Sequence, residues 1–180
     1  MSGASSGIVP SRLDWQEDVA KLLIEGGVTV AVYVPDSRLD GILAHLAESG
    51  LPMRSLPREE ECVAYAAGQR VAGQKPVLLM QSSGVGNALN ALSTLAVQYR
   101  LGLPMILSMR GTLGETNASQ ITIGKATTAL LATIGIQSFG MKRRDEAPAL
   151  VKGLLAMAWG AEETAAITLD AELGGNRAGH

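Results

Sequence analysis

Two rhythms of apolar residues alternate along the chain: short continuous runs of strand length, and longer stretches in which apolar side chains return every three or four positions. The segment DWQEDVAKLLIEGG puts Trp15, Val19, Leu22 and Leu23 on one helical face, with Asp14 and Glu17 at capping-box spacing and two glycines as a stop. VTVAVYV then reads as a buried strand, and RLDGILAHLAESG returns to helical period through Leu39, Ile42, Leu43 and Leu46 before closing at Gly50. The alternation continues with an extended piece at Met53 to Leu56, a helix in REEECVAYAAGQRVAG, the strand PVLLMQ, a helix over 87–99 and the strand PMILSMR. A glycine-containing loop, GTLGETNASQ, precedes a helix over 122–134, the strand IQSFG, a helix over 145–159 and a last strand, TAAITLD.

Strands apolar on both faces, separated by helices, predict an α/β fold: a doubly wound parallel sheet with helices on both faces. A chain of 180 residues is expected to hold one domain, over 14–170, with tails at 1–13 and 171–180. Ligands of such folds collect outside the carboxyl ends of the strands. The loops to interrogate are therefore PDS, PREEE, QSSGVGN and RGTLGETNASQ.

Charge removes some functions from consideration. Fifteen basic residues against 17 acidic ones give a formal net charge of −2, and apart from KRR at 142–144 the cations are scattered, so nucleic acid is not an expected partner. The one cysteine, Cys62, excludes an internal disulfide and a cysteine-based metal site and agrees with a reducing, cytoplasmic setting. Apolar residues make up 47% of the chain, yet no run approaches the roughly 18 residues of a membrane span. No membrane is expected, and the apolar surplus points to a protein partner. MSGASSGIVP lacks the basic start and apolar run of a secretory leader.

Three segments could carry chemistry. QSSGVGN joins a strand to a helix through Gly84 and Gly86, but lacks the third glycine of a dinucleotide fingerprint and the lysine of a P-loop. A structural turn and a ligand loop both fit it. The helix that follows is apolar nearly all round, which predicts burial on every side and hence a subunit interface. Glu59, Glu60 and Glu61 open a helix, where acids ordinarily serve the helix dipole. Downstream, however, Ala64, Ala66, Ala67 and Gly68 permit close packing, so that the first acid can sit at a water-poor junction.

REEECVAYAAGQRVAG, VLLMQSSGVGNALNAL and LPMILSMRGTLGE together resemble the pyrimidine-binding domain of thiamine-diphosphate enzymes, in particular the alpha subunits of sulfopyruvate decarboxylases, relatives of phosphonopyruvate decarboxylase. The resemblance spans about 14–170. In that family a glutamate nine residues before the glycine of the small-residue helix contacts N1′ of the cofactor's aminopyrimidine; counting back from Gly68 gives Glu59. The resemblance thus implies thiamine diphosphate as cofactor, Glu59 as its proton relay, and Gly84, Gly86 and Asn87 as the turn beside the aminopyrimidine. It places Asp36 and Ser37 near the substrate, although capping explains both equally well. Arg110 and Lys125 become candidate receptors for a sulfonate or phosphonate. Gln120 falls where many related decarboxylases carry a histidine pair; this chain has only His45 and His180.

Such enzymes anchor the diphosphate through a divalent metal bound by a Gly-Asp-Gly segment, and the chain has none. The resemblance therefore implies a separate beta subunit that carries the diphosphate-binding domain and holds Mg2+, in a hetero-oligomer such as alpha2beta2 or larger. The implied reaction converts a small 2-oxo acid, foremost 3-sulfopyruvate, into sulfoacetaldehyde and carbon dioxide. Phosphonopyruvate decarboxylation and a non-catalytic interaction protein are the rivals.

Overall fold

The computed structural model describes residues 15–173. Asp14, the expected tail over 1–13 and the end of the chain from 174 lie outside the described residues. The elements alternate in chain order: α1 (Trp15–Glu25), β1 (Val30–Tyr33), α2 (Asp40–Glu48), β2 (Met53–Ser55), α3 (Glu59–Val71), β3 (Pro76–Gln81), α4 (Val85–Ala91), β4 (Pro104–Ser108), α5 (Ala118–Thr133), β5 (Gln137–Met141), α6 (Ala147–Ala156) and β6 (Ala165–Leu169). One six-stranded sheet has the order β2-β1-β3-β4-β6-β5, and every neighbouring pair is parallel.

The period-2 geometry of a strand sends alternate side chains into two cores. Ala31, Leu79, Ile106 and Ile167 meet α1, α2 and α6 on one face through Trp15, Leu23, Ile42, Leu46, Val151 and Leu154. Val32, Leu78, Met80, Met105 and Leu107 meet the other layer through Val63, Ala66, Ala88, Leu92 and Leu131. Both cores are apolar, which is why the central strands β1, β3 and β4 carry no polar residue before their last position, whereas the edge strands β2 and β5 carry Arg54, Gln137 and Ser138. Ala171–Leu173, assigned to a tail by sequence, forms a 3-10 turn whose Leu173 is buried in the first core. Among the described residues no helix is long and apolar enough to cross a membrane.

Two helix starts lie earlier than the sequence pattern puts them. The helix expected to begin at residue 87 begins with a 3-10 turn at Ser82–Gly84 and runs through α4 into a π-helical segment, Leu92–Val97. The glycines that read as a turn are thus inside the helical run; Gly84 has φ −74° and ψ −17°, which any residue adopts. The π segment starts where the Ser93 and Thr94 hydroxyls donate to the Asn90 carbonyl, a back-bond that competes with the regular ladder. The α5 helix begins four residues before the expected Thr122, because the Asn117 side chain accepts a hydrogen bond from the Ser119 amide and caps it.

The α4 helix is not enclosed on all sides within this chain, as its composition predicts. Val85, Ala88, Leu92 and Ala96 are buried, while Asn87, Asn90 and Thr94 are exposed. The asparagines and threonine interrupt the apolar surface on the side away from the sheet.

Ser82 locks the carboxyl edge of the sheet. Its hydroxyl accepts from the Arg110 amide at 2.9 Å, and its carbonyl accepts from the Thr127 hydroxyl of α5 at 2.9 Å. Removing the Thr127 hydroxyl takes one of two donors from that carbonyl, which also accepts from the Val85 amide, in a fully buried place. Thr127→Val should lower unfolding free energy by about 0.5–1.5 kcal/mol, measured by chemical denaturation of the full chain; an unchanged stability contradicts the locking role.

Candidate functional site

The carboxyl ends of β1, β3 and β4 bring two polar clusters together along one connection, residues 81–87. In the first, Glu59 begins α3 and turns its carboxylate onto the start of α4. A Cβ placed on Gly84 would overlap Glu59 Cγ, Cδ and Oε1, so glycine is required there by a side chain that packs on it rather than by backbone torsion. Asn87 Nδ2 donates to Glu59 Oε2 at 3.3 Å. Gly86 is tight for a similar reason: a Cβ there would stand 2.9 Å from Ile123 Cδ1 of α5.

The three acids separate by environment. Glu60 forms an ion pair with Arg58, and its carboxyl is held below the usual range first by its own backbone N–H and second by Arg58. Glu60 therefore serves the helix start. Glu61 is exposed. Glu59 alone of the three is directed at the glycine connection. The residues behind it are split between two faces: Ala66 and Ala67 pack into the core, whereas Ala64, Gly68 and Ala72 are exposed. Close packing of α3 thus comes from Cys62, Val63 and Ala66. Burial pushes the Cys62 thiol up to about 12, with Glu59, Glu61 and Glu60 adding to the shift.

The second cluster centres on Asp36, in the connection after β1. Its Oδ1 accepts from the Arg38 amide at 2.9 Å and from Ser108 Oγ at 3.1 Å; its Oδ2 accepts from Gln81 Nε2 at 2.9 Å and from Arg110 Nη2 at 2.7 Å. The carboxylate is therefore saturated; the Arg38 bond closes a turn ahead of α2, whose own N-cap, Leu39, has no side-chain cap, so Asp36 does not serve as the helix cap. The Asp36 and Arg110 side chains are only 6% and 14% exposed. Arg38 in turn reaches the Met109 carbonyl. Glu115 lies near by, held below the ordinary carboxylate range chiefly by the Asn117 amide, then by the Gly111 amide, Arg110 and Arg38.

Ser37 is exposed. Gln120 is half-buried in the first turn of α5 rather than in a loop, and its carbonyl lies against Gly111, whose φ of +73° and close approach to Ile121 both require glycine. Gly124 packs on the Arg110 carbonyl, so Lys125, one step of about 100° round the helix, is exposed. Geometry thus unites Asp36 with Arg110 and Glu59 with Gly84 and Asn87, and leaves Ser37 and Lys125 outside both clusters. Gln81, Ser82, Arg38 and Ser108 were not singled out from sequence. Gln81 and Ser108 had a signal: each is the polar residue that ends an apolar strand at the sheet's carboxyl edge.

Residues 14–117 match the family described as thiamine pyrophosphate enzyme, N-terminal TPP binding domain. The chain is 36% identical over 157 residues to the sulfopyruvate decarboxylase subunit alpha of Methanococcus maripaludis, covering 86% of this chain and 93% of that one. It is 34% identical over 121 residues to a sulfopyruvate decarboxylase of Methanosarcina acetivorans, 67% of this chain but 31% of the relative. Among solved structures, a 2-oxoglutarate:ferredoxin oxidoreductase from Magnetococcus marinus shares the fold at TM-score 0.64 and 14% identity, over 88% of this chain and 29% of the other. The chain belongs to the thiamine pyrophosphate enzymes, as an N-terminal TPP-binding domain. Within them its relatives are the sulfopyruvate decarboxylase alpha subunits.

The buried, weakly acidic Cys62 gives a check on this packing. The folded chain should leave its thiol unmodified by a disulfide reagent at pH 8, where a group with a pKa of about 12 is protonated, and react once on unfolding. Prompt reaction of the folded chain would contradict the packing of α3.

Proposed function

We propose that this chain is the alpha subunit of a thiamine-diphosphate-dependent decarboxylase that converts 3-sulfopyruvate to sulfoacetaldehyde and carbon dioxide, with a separate beta subunit completing the site. The observation that carries the reading is the Glu59 carboxylate seated on Gly84 and held by Asn87. That arrangement fits the edge of an aminopyrimidine: an acid seated over a glycine at the start of α4, and an amide that orients it. The alpha-subunit relative aligned over nearly its whole length supports the substrate. The sulfopyruvate decarboxylase of Methanosarcina acetivorans, of which this chain matches 31%, is consistent with a diphosphate- and Mg2+-binding half outside this chain.

When bound, thiamine diphosphate supplies the carbon nucleophile and electron sink that decarboxylation of a 2-oxo acid needs. Glu59 holds or releases a proton at a carboxylate oxygen facing N1′ of the ring. Asn87 donates to Oε2 and so favours presentation of Oε1, the oxygen nearest Gly84. Gly84 keeps a methyl group out of the contact with Glu59, whereas Gly86 lets α4 pack on Ile123 of α5. At the substrate end, Arg110 offers a guanidinium to the sulfonate, with Asp36 behind it. Ser37, Gln120 and Lys125 lie further out, within the region closed by the partner, and the open side of α4 is the surface for that partner.

In the complex reconstituted with the beta subunit, Glu59→Gln should lower kcat for sulfopyruvate by at least about 100-fold, while Glu60→Gln and Glu61→Gln stay within about threefold. An active Glu59→Gln enzyme, or phosphonopyruvate preferred over sulfopyruvate by kcat/KM, overturns the corresponding part of the proposal. Gly84→Ala is compatible with its backbone torsions, so it should keep the fold but weaken thiamine diphosphate binding by about tenfold or more, read by titration calorimetry on the complex.

A further inference from the structure

We infer that Gln81 and Ser108 are positioning residues for substrate recognition, acting through Asp36 to fix the Arg110 guanidinium. The inference rests on the reading of Arg110 as the receptor of the substrate's anionic end.

Arg110 is fixed at two points. Its amide donates to the buried Ser82 hydroxyl, and its Nη2 donates to Asp36 Oδ2 at 2.7 Å. Its Nε is buried and has no partner among the described residues. Nη1 makes no hydrogen bond among the described residues and carries donors left for a ligand. Where Nη1 points is set by Asp36, and where Asp36 points is set by its other donors.

Those donors come from strand ends. Ser108 is the last residue of β4 and is buried; its hydroxyl donates to Oδ1. Gln81 is the last residue of β3; its amide nitrogen donates to Oδ2, the oxygen that also receives Arg110. The amide cannot swap ends at no cost, because Ser83 Oγ donates to Gln81 Oε1. The sequence Ser83 to Gln81 to Asp36, with Ser108 on the second oxygen, leaves Asp36 one orientation and therefore leaves Arg110 one orientation. A guanidinium so placed binds a sulfonate without first losing its own rotational freedom, which is the usual cost of an arginine contact. Loss of one strand-end donor leaves Asp36 on the Arg38 amide, Arg110 and the other strand-end donor, which loosens its orientation and that of the guanidinium it aims, so the penalty falls on substrate affinity and not on the chemical step at Glu59.

The test uses the alpha–beta complex with two substrates: sulfopyruvate, and pyruvate, whose methyl end carries no charge. Gln81→Met and Ser108→Ala keep size while removing the donor. Each should raise KM for sulfopyruvate by about tenfold, leave kcat within about twofold, and leave kcat/KM for pyruvate unchanged. Ser108→Thr, which retains the hydroxyl, should restore the parent KM. Arg110→Ala should raise KM for sulfopyruvate at least as far as either variant. If Arg110→Ala raises that KM but Gln81→Met and Ser108→Ala do not, the positioning role is overturned and the reading of Arg110 stands. If Arg110→Ala leaves it unchanged, the reading of Arg110 fails and the inference with it. Equal losses for both substrates would mark Gln81 and Ser108 as structural supports only, and would also overturn the role.

Discussion

The packing of one carboxylate against one glycine governs this structure. Glu59 lies on the start of α4 in space that a side chain at residue 84 would fill, and the fold brings those two positions together. They belong to segments that follow β2 and β3, which are not neighbours; β1 stands between them in the sheet. Contact across that gap needs α3 and α4 on the same face, pressed on one another and on the strands through Val63, Ala66 and Ala88. Larger residues at the alanines would lift the helices apart and withdraw the acid from the glycine.

The same seven-residue connection after β3 serves both ends of the proposed reaction. Gly84 and Asn87 face Glu59, while Gln81 and Ser82 face Asp36 and Arg110. Glu59 and Arg110, the proposed acid and the proposed cation, are thereby both held against one segment, anchored to α5 through Thr127. Rigid placement matters because both groups act at hydrogen-bond range, where an error of 1 Å removes most of the interaction.

Much of this was legible in the sequence. The alternation of apolar runs and helical periods predicts the parallel sheet, and PVLLMQ coincides with β3 from end to end because a strand buried on both faces has no choice of composition. The register implied by the resemblance singles out Glu59, which is the acid of the three that packs on Gly84, and the resemblance to thiamine-diphosphate enzymes agrees with the family to which the chain belongs. Helix starts were less legible. Gly84 and Gly86 looked like turn residues, since sequence does not distinguish a glycine needed for its torsions from one needed for space. The Asn117 cap was hidden in a run of turn-forming residues. Within this chain only one side of α4 is covered, and Asn87, Asn90 and Thr94 face outward. Gln81 and Ser108 were missed because a polar residue at a strand end is common, and only the sheet order shows that theirs converge on Asp36.

A structure of the assembled alpha–beta complex with thiamine diphosphate bound tests the central claim most directly. The predicted result is Glu59 at hydrogen-bond distance from N1′ of the aminopyrimidine, with the ring edge lying over Gly84 and the diphosphate held by the other subunit. Glu60 or Glu61 at that nitrogen, or Glu59 directed into solvent with the cofactor bound elsewhere, would contradict it.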